Sequence, residues 1–179
     1  MTAKIIGSFP PVGGTVNESG INTMAHATAQ NPVGALYTVK DDTTDGLWSV
    51  VRYYQAGATI LQGDALCHDT SQYKPYRFLR TPLTEAGLMP RGVAAANVSN
   101  TAYYSFCYIS GYCPTIKFGS GVTSNSFNAV SASFTGAFGS FGLYSTVSTN
   151  VTVRLGIVYS LDVNTTTGVN SGIIQGFLL

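Results

Sequence analysis

Tyr103-Tyr104-Ser105-Phe106-Cys107-Tyr108-Ile109-Ser110-Gly111-Tyr112-Cys113 is the stretch on which the fold turns. Side chains alternate across a strand, so Tyr104, Phe106 and Tyr108 share one parity while Tyr103, Ser105, Cys107 and Ile109 share the other. Both sets are substantially apolar. That predicts a strand covered on both faces, by a second sheet and by an interface, as in a sandwich inside an assembly.

Before it, Arg91-Gly92-Val93-Ala94-Ala95-Ala96-Asn97-Val98 reads as a strand of small residues closed by the turn-forming Ser99-Asn100-Thr101. Leu47-Trp48-Ser49-Val50-Val51-Arg52-Tyr53-Tyr54-Gln55 is rich in aromatic and β-branched residues and predicts a strand that opens the folded domain, residues 47–179. Ala58-Thr59-Ile60-Leu61, turned by Gln62-Gly63-Asp64 into Ala65-Leu66-Cys67-His68, predicts a short hairpin.

Further on, Val151, Val153, Leu155, Ile157, Tyr159, Leu161 and Val163 form one apolar parity of a strong strand. Gly172 to Leu179 predicts an edge strand or a terminal segment docked on a partner. Between Phe118 and Val153 there is no Asp, Glu, Lys or Arg. Phe134, Phe138 and Phe141 are spaced for a helical face, but Gly136, Gly139 and Gly142 would each cost such a helix about 1 kcal/mol, which favours strands and glycine turns. Helix signals are confined to a turn or two within Asn22–Gln30 and Thr84–Leu88. The fold class predicted is all-β, an antiparallel β-sandwich or barrel with an extended N-terminal arm. The arm, residues 1–46, is punctuated by Pro10-Pro11, Gly13-Gly14 and Asn31-Pro32. Its Ile5, Ile6, Phe9, Ile21 and Met24 suit a segment laid over a neighbouring subunit rather than a solvated tail.

Composition bears on function. Charged residues make up 9% of the chain, against about 25% in typical soluble proteins. A monomer of that kind exposes long stretches of neutral and aromatic surface, which invites association. A homo-oligomer or lattice component resolves this. The formal net charge is +1, with nine Lys and Arg against eight Asp and Glu, so no electrostatic footprint for nucleic acid is present. Met1 to Pro11 carries no apolar run of secretory length, and no stretch approaches a membrane span. The expectation is synthesis in a host cytoplasm, with no membrane partner.

Candidate chemistry is sparse, and no enzyme activity or cofactor is expected. Cys67-His68-Asp69 brings thiol, imidazole and carboxylate together, but neighbours on a strand point to opposite faces, the wrong geometry for a nucleophile and its base. The two histidines, His26 and His68, fall in different parts of the chain, so no zinc site is expected. Asp41-Asp42-Thr43-Thr44-Asp45-Gly46 resembles half a calcium loop without its ligand spacing or closing glutamate, and reads as an acidic turn. Cys107 and Cys113 on one strand lie roughly 20 Å apart at about 3.3 Å per residue, beyond the reach of a disulfide. With Cys67 they read as buried thiols acting as small hydrophobes.

The tyrosines could stack on sugars, yet tyrosine is equally an interface residue that buries area at low entropic cost. Interface candidates are therefore Ile5, Ile6 and Phe9 in the arm, Tyr103, Tyr104, Phe106 and Tyr108 in the strand, and Phe134, Phe138 and Phe141 in the uncharged stretch. Tyr73-Lys74-Pro75-Tyr76-Arg77-Phe78-Leu79-Arg80 places three basic residues beside aromatics. Three charges are too few for strong nucleic-acid binding, and a rim contact to an acidic protein partner fits better.

Ala56-Gly57-Ala58-Thr59-Ile60-Leu61-Gln62-Gly63-Asp64-Ala65-Leu66, followed by Pro90-Arg91-Gly92-Val93-Ala94 and by the strand ending Ser110-Gly111-Tyr112-Cys113, resembles a pattern in decoration (cement) proteins of tailed-bacteriophage heads. The resemblance covers residues 56–114 and rests on short motifs. It implies a virion protein, a β-rich homotrimer at threefold positions of an icosahedral capsid that stabilises contacts between major capsid protein subunits. The long N-terminal segment and the Gly/Ser/Phe-rich stretch depart from that family's compact members. Other functions compatible with the residues are a phage tail or head-fibre component and a carbohydrate-binding adhesin module.

Overall fold

The computed structural model describes residues 3–9, 25–41, 47–71, 74–80, 90–118, 127–129, 142–143, 157–162 and 170–174, with residues 3–9, 41, 90, 127–129, 142–143 and 157–162 described by backbone alone. Among the described residues every regular element is a strand. These are β1 (Ala3–Phe9), β2 (Leu36–Asp41), β3 (Trp48–Ala56), β4 (Ala65–His68), β5 (Arg77–Arg80), β6 (Pro90–Ala94), β7 (Tyr104–Cys113), β8 (Phe127–Ala129), β9 (Gly142–Leu143), β10 (Ile157–Asp162) and β11 (Ser171–Ile174). The seven with described side chains, β2 to β7 and β11, belong to one mixed sheet. Backbone pairing extends it through β1 beyond β2 and through β10, β8 and β9 beyond β11.

The centre is the antiparallel pair of β3 and β7. Val51 lies opposite Tyr108, Tyr53 opposite Phe106 and Gln55 opposite Tyr104, and residues directly opposite share a face. On that face Tyr53 tilts against Phe106 with ring centroids 4.9 Å apart, and Tyr37 of β2 meets the same ring edge-on at 5.6 Å. On the other face Arg52 lies opposite Cys107 and Tyr54 opposite Ser105. There Tyr54 stacks on Phe78 of β5 at 5.4 Å. Val51, Tyr53, Tyr54, Phe106 and Cys107 are all fully buried. β7 is therefore buried on both faces, within one mixed sheet rather than under the second sheet expected. Each buried aromatic ring contributes about 1.5–3 kcal/mol of transfer free energy.

The edge of β3 away from β7 is shared. Its first half pairs with β2, from Lys40 opposite Trp48 to Leu36 opposite Arg52. Its last two residues pair in parallel with β5, Gln55 with Arg77 and Ala56 with Phe78. From β5 the pairings run to β4, then β6, then back to β7. The chain reverses at β4 and again at β5, and β5 slots between β4 and β3, so it must run parallel to β3. The wholly antiparallel arrangement expected from the sequence is corrected to a mixed sheet.

Other expectations shift as well. Ile60 does not form a hairpin with β4; it makes an isolated bridge to Val98. The segment Ser171–Ile174 is no edge strand, because it pairs with both β7 and β10. Within the predicted arm, residues 36–41 form β2, whose Tyr37 and Val39 enter the core. Residues 3–9 pair with β2 along its outer edge. The alternation Leu36-Tyr37-Thr38-Val39 is a strand signal that the neighbouring prolines and glycines obscured. Residues 25–30 hold no helix, and Thr84–Leu88 lie outside the described residues.

Candidate functional site

The Gly63-Asp64 pair sits where several strands converge. Gly63 adopts a φ of +83°, a conformation that costs side-chain-bearing residues free energy. Its N–H donates to Ala94 O and its carbonyl accepts from Lys117 N–H. The turn directs the Asp64 carboxylate inward, where it is fully buried. It accepts the Leu61 N–H at 2.8 Å, faces Arg80 Nε at 2.7 Å and Lys117 Nζ at 3.2 Å. One carboxylate thus joins the turn before β4, strand β5 and the segment after β7. A second buried acid, Asp69, accepts from Ser71 N and Oγ at 3.0 and 2.6 Å and pairs with Arg77 Nε at 3.2 Å.

Both acids are therefore structural clamps, which settles the geometry of Cys67-His68-Asp69. Cys67 is buried with its Sγ 3.8 Å from Arg80 O. His68, on the opposite side of β4, packs edge-on against Phe78 at 6.3 Å. No hydrogen bond joins thiol, imidazole and carboxylate among the described residues. All three cysteines are free and buried. Burial pushes the Cys107 thiol up to about 12 and the Cys113 thiol well above its usual range, so neither is a thiolate near neutrality. His26 lies apart from His68, bridged to Tyr104 through paired backbone hydrogen bonds.

The interface candidates are distributed unevenly. Phe106 and Tyr108 belong to the core of this chain. Tyr103 and Tyr104 are half-buried, with Tyr104 stacked 6.0 Å from Tyr53 and its hydroxyl accepting from Gln55 Nε2. Ile5, Ile6 and Phe9 are placed by backbone in β1. Phe134, Phe138 and Phe141 lie outside the described residues, as do Asp42 to Gly46 of the acidic turn.

The sequence reading missed the surface that the sheet does expose. Trp48, the single tryptophan of the chain, is 57% exposed and follows Leu47, itself 40% exposed. By register Trp48, Val50 and Arg52 share a face with Lys40, Thr38 and Leu36 of β2. Leu36, Thr38 and Val50 are half-buried. At the far end of this strip Tyr76, in the left-handed region with a φ of +62°, lays its ring over the Arg52 guanidinium at 5.1 Å. The ring occupies the space a side chain at Gly34 would fill. A signal for Trp48 existed in the sequence: it starts a strand beside an acidic turn, where strand ends are least covered.

In comparisons with protein-family models, with curated proteins and with solved structures, the chain matches none.

Proposed function

We propose that this chain is a structural protein that acts by docking against copies of itself and against a larger protein assembly, without catalysing a reaction. The observation that carries the reading is the Leu47-Trp48 pair, two large apolar side chains held open to water at the start of a central strand of the sheet. Exposed tryptophan on a rigid strand is the residue type on which protein interfaces concentrate their binding free energy. Low charge points the same way, since only 9% of residues are charged and such surfaces associate.

The assembly favoured by the motif in residues 56–114 is the head of a tailed phage, with the chain as a cement protein, a homotrimer on the capsid surface clamping major capsid subunits. In support, the motif residues hold the sheet together: Gly63-Asp64 clamps β4, β5 and the segment after β7, and Gly92 lets β6 approach Cys107. The closed pairing circuit through β3, β5, β4, β6 and β7 reads as a small barrel to which β2 and β11 are added. Incubation of the purified chain with empty phage heads, followed by electron microscopy, tests this reading. Ordered density at threefold positions of the shell is expected, with Trp48→Ser reducing occupancy by tenfold or more, about 1.4 kcal/mol or above. Density only on the tail, or none, contradicts it.

A further inference from the structure

Asp64 and Asp69 are the carboxylates among the described side chains. Both acids are committed, Asp64 to Arg80 and Lys117 and Asp69 to Arg77. Arg52 pairs with neither. It is 7% exposed, its Nε has no hydrogen-bond partner, and no ion pair to it forms among the described residues. Among the described residues, the ring of Tyr76 lies over its guanidinium. A guanidinium taken from water against an aromatic face and a thiol, Cys107 on the neighbouring strand, is poorly compensated.

The cover over Arg52 is itself held in an uncommon conformation. Tyr76 combines a positive φ with 37% exposure, and its neighbours Lys74 and Pro75 are exposed too.

We propose that Arg52 is the anchor for a carboxylate on an acidic segment of a partner protein, with Tyr76 shielding the guanidinium until that carboxylate replaces it. Lys74 at the rim adds charge of the sign that draws such a segment in. Guanidinium suits this role because its planar fork binds carboxylate through two parallel hydrogen bonds. The inference rests on the reading of the chain as a partner-binding protein, and names the chemistry of one contact.

The test is titration of the full chain with a fluorescent hexaglutamate peptide at low ionic strength, alongside an alanine-serine peptide and a single-stranded oligonucleotide. The expected result is saturable binding of hexaglutamate alone, weakened roughly thirtyfold in Arg52→Met and to a lesser degree in Arg52→Lys, which keeps the charge and loses the fork. Because no acid pairs with the guanidinium among the described residues, Arg52→Met is expected to melt at or above the wild-type temperature. Hexaglutamate binding indifferent to residue 52, preference for the oligonucleotide, absence of binding, or a marked loss of stability in Arg52→Met would each overturn the inference. Loss of hexaglutamate binding with self-association intact sinks this contact alone. Hexaglutamate binding by a strictly monomeric chain that ignores phage heads sinks the assembly reading and spares the contact.

Discussion

Asp64 illustrates how a single side chain holds strands distant in sequence. Replacing it by Asn leaves Arg80 and Lys117 facing a neutral amide in a buried position. Removal of one partner from an enclosed pair costs about 3–5 kcal/mol. Here the cations keep 28% and 31% of their side-chain surface in water, so a loss of about 2–3 kcal/mol is expected. A lower urea midpoint with an unchanged slope would report it. His26 offers a second test. The Tyr53 hydroxyl accepts the Gln30 N–H and lies within hydrogen-bonding distance, 3.1 Å, of His26 Nδ1. Burial lowers the His26 pKa from its usual 6.5. A depressed folded value means that the unfolded chain takes up the proton first, so stability is full above about pH 6.5 and falls as pH drops toward the folded value. Urea midpoints measured on either side of that pH are expected to differ less in His26→Gln than in the wild type. The motif Gly63-Asp64 and the separation of Cys67 from His68 were legible in the sequence. The pairing of Asp64 with Arg80 and Lys117 was not, because no local pattern encodes contacts between residues so far apart in the chain.

Strands follow the same division between what is local and what is not. β3 and β7 were legible because aromatic and β-branched residues run on both parities, and the turn at Ser99 to Thr101 precedes β7 as its composition predicts. β2 was hidden by Asn31-Pro32 and Gly34, and the parallel contact of β5 depends on where a hairpin folds back, which alternation does not record. The turn into β4 can be probed directly. Gly63→Ala places a Cβ on a residue with a φ of +83°, 3.2 Å from Lys117 N. A loss of about 1–2 kcal/mol is expected from the left-handed backbone and the crowding together, measured by the thermal midpoint. The buried thiols belong to the same strands. Cys67, Cys107 and Cys113 are each shielded, so a thiol reagent is expected to leave all three unmodified in the folded chain and to label them in denaturant. Rapid labelling of Cys107 under native conditions would mean that the β3 and β7 pair opens readily.

For the whole molecule, the two-sided burial of the central strands leaves a limited choice of docking surface. Among the described residues, Phe106 and Tyr108 are spent on the core, and the end of the β2–β3 ladder at Leu47 and Trp48 presents large apolar side chains to water. Composition raises association as an expectation. Its location was not legible in the sequence, because a rich run of aromatics marks core and interface alike, and only register and burial separate Trp48 from Tyr53. The central claim is that this end of the ladder binds other chains. Light scattering on the purified chain across a range of micromolar concentrations tests it most directly. The account predicts an oligomer that dissociates on dilution and whose dissociation constant rises tenfold or more in Trp48→Ser. A monodisperse monomer at every concentration, unchanged by that substitution, would contradict it.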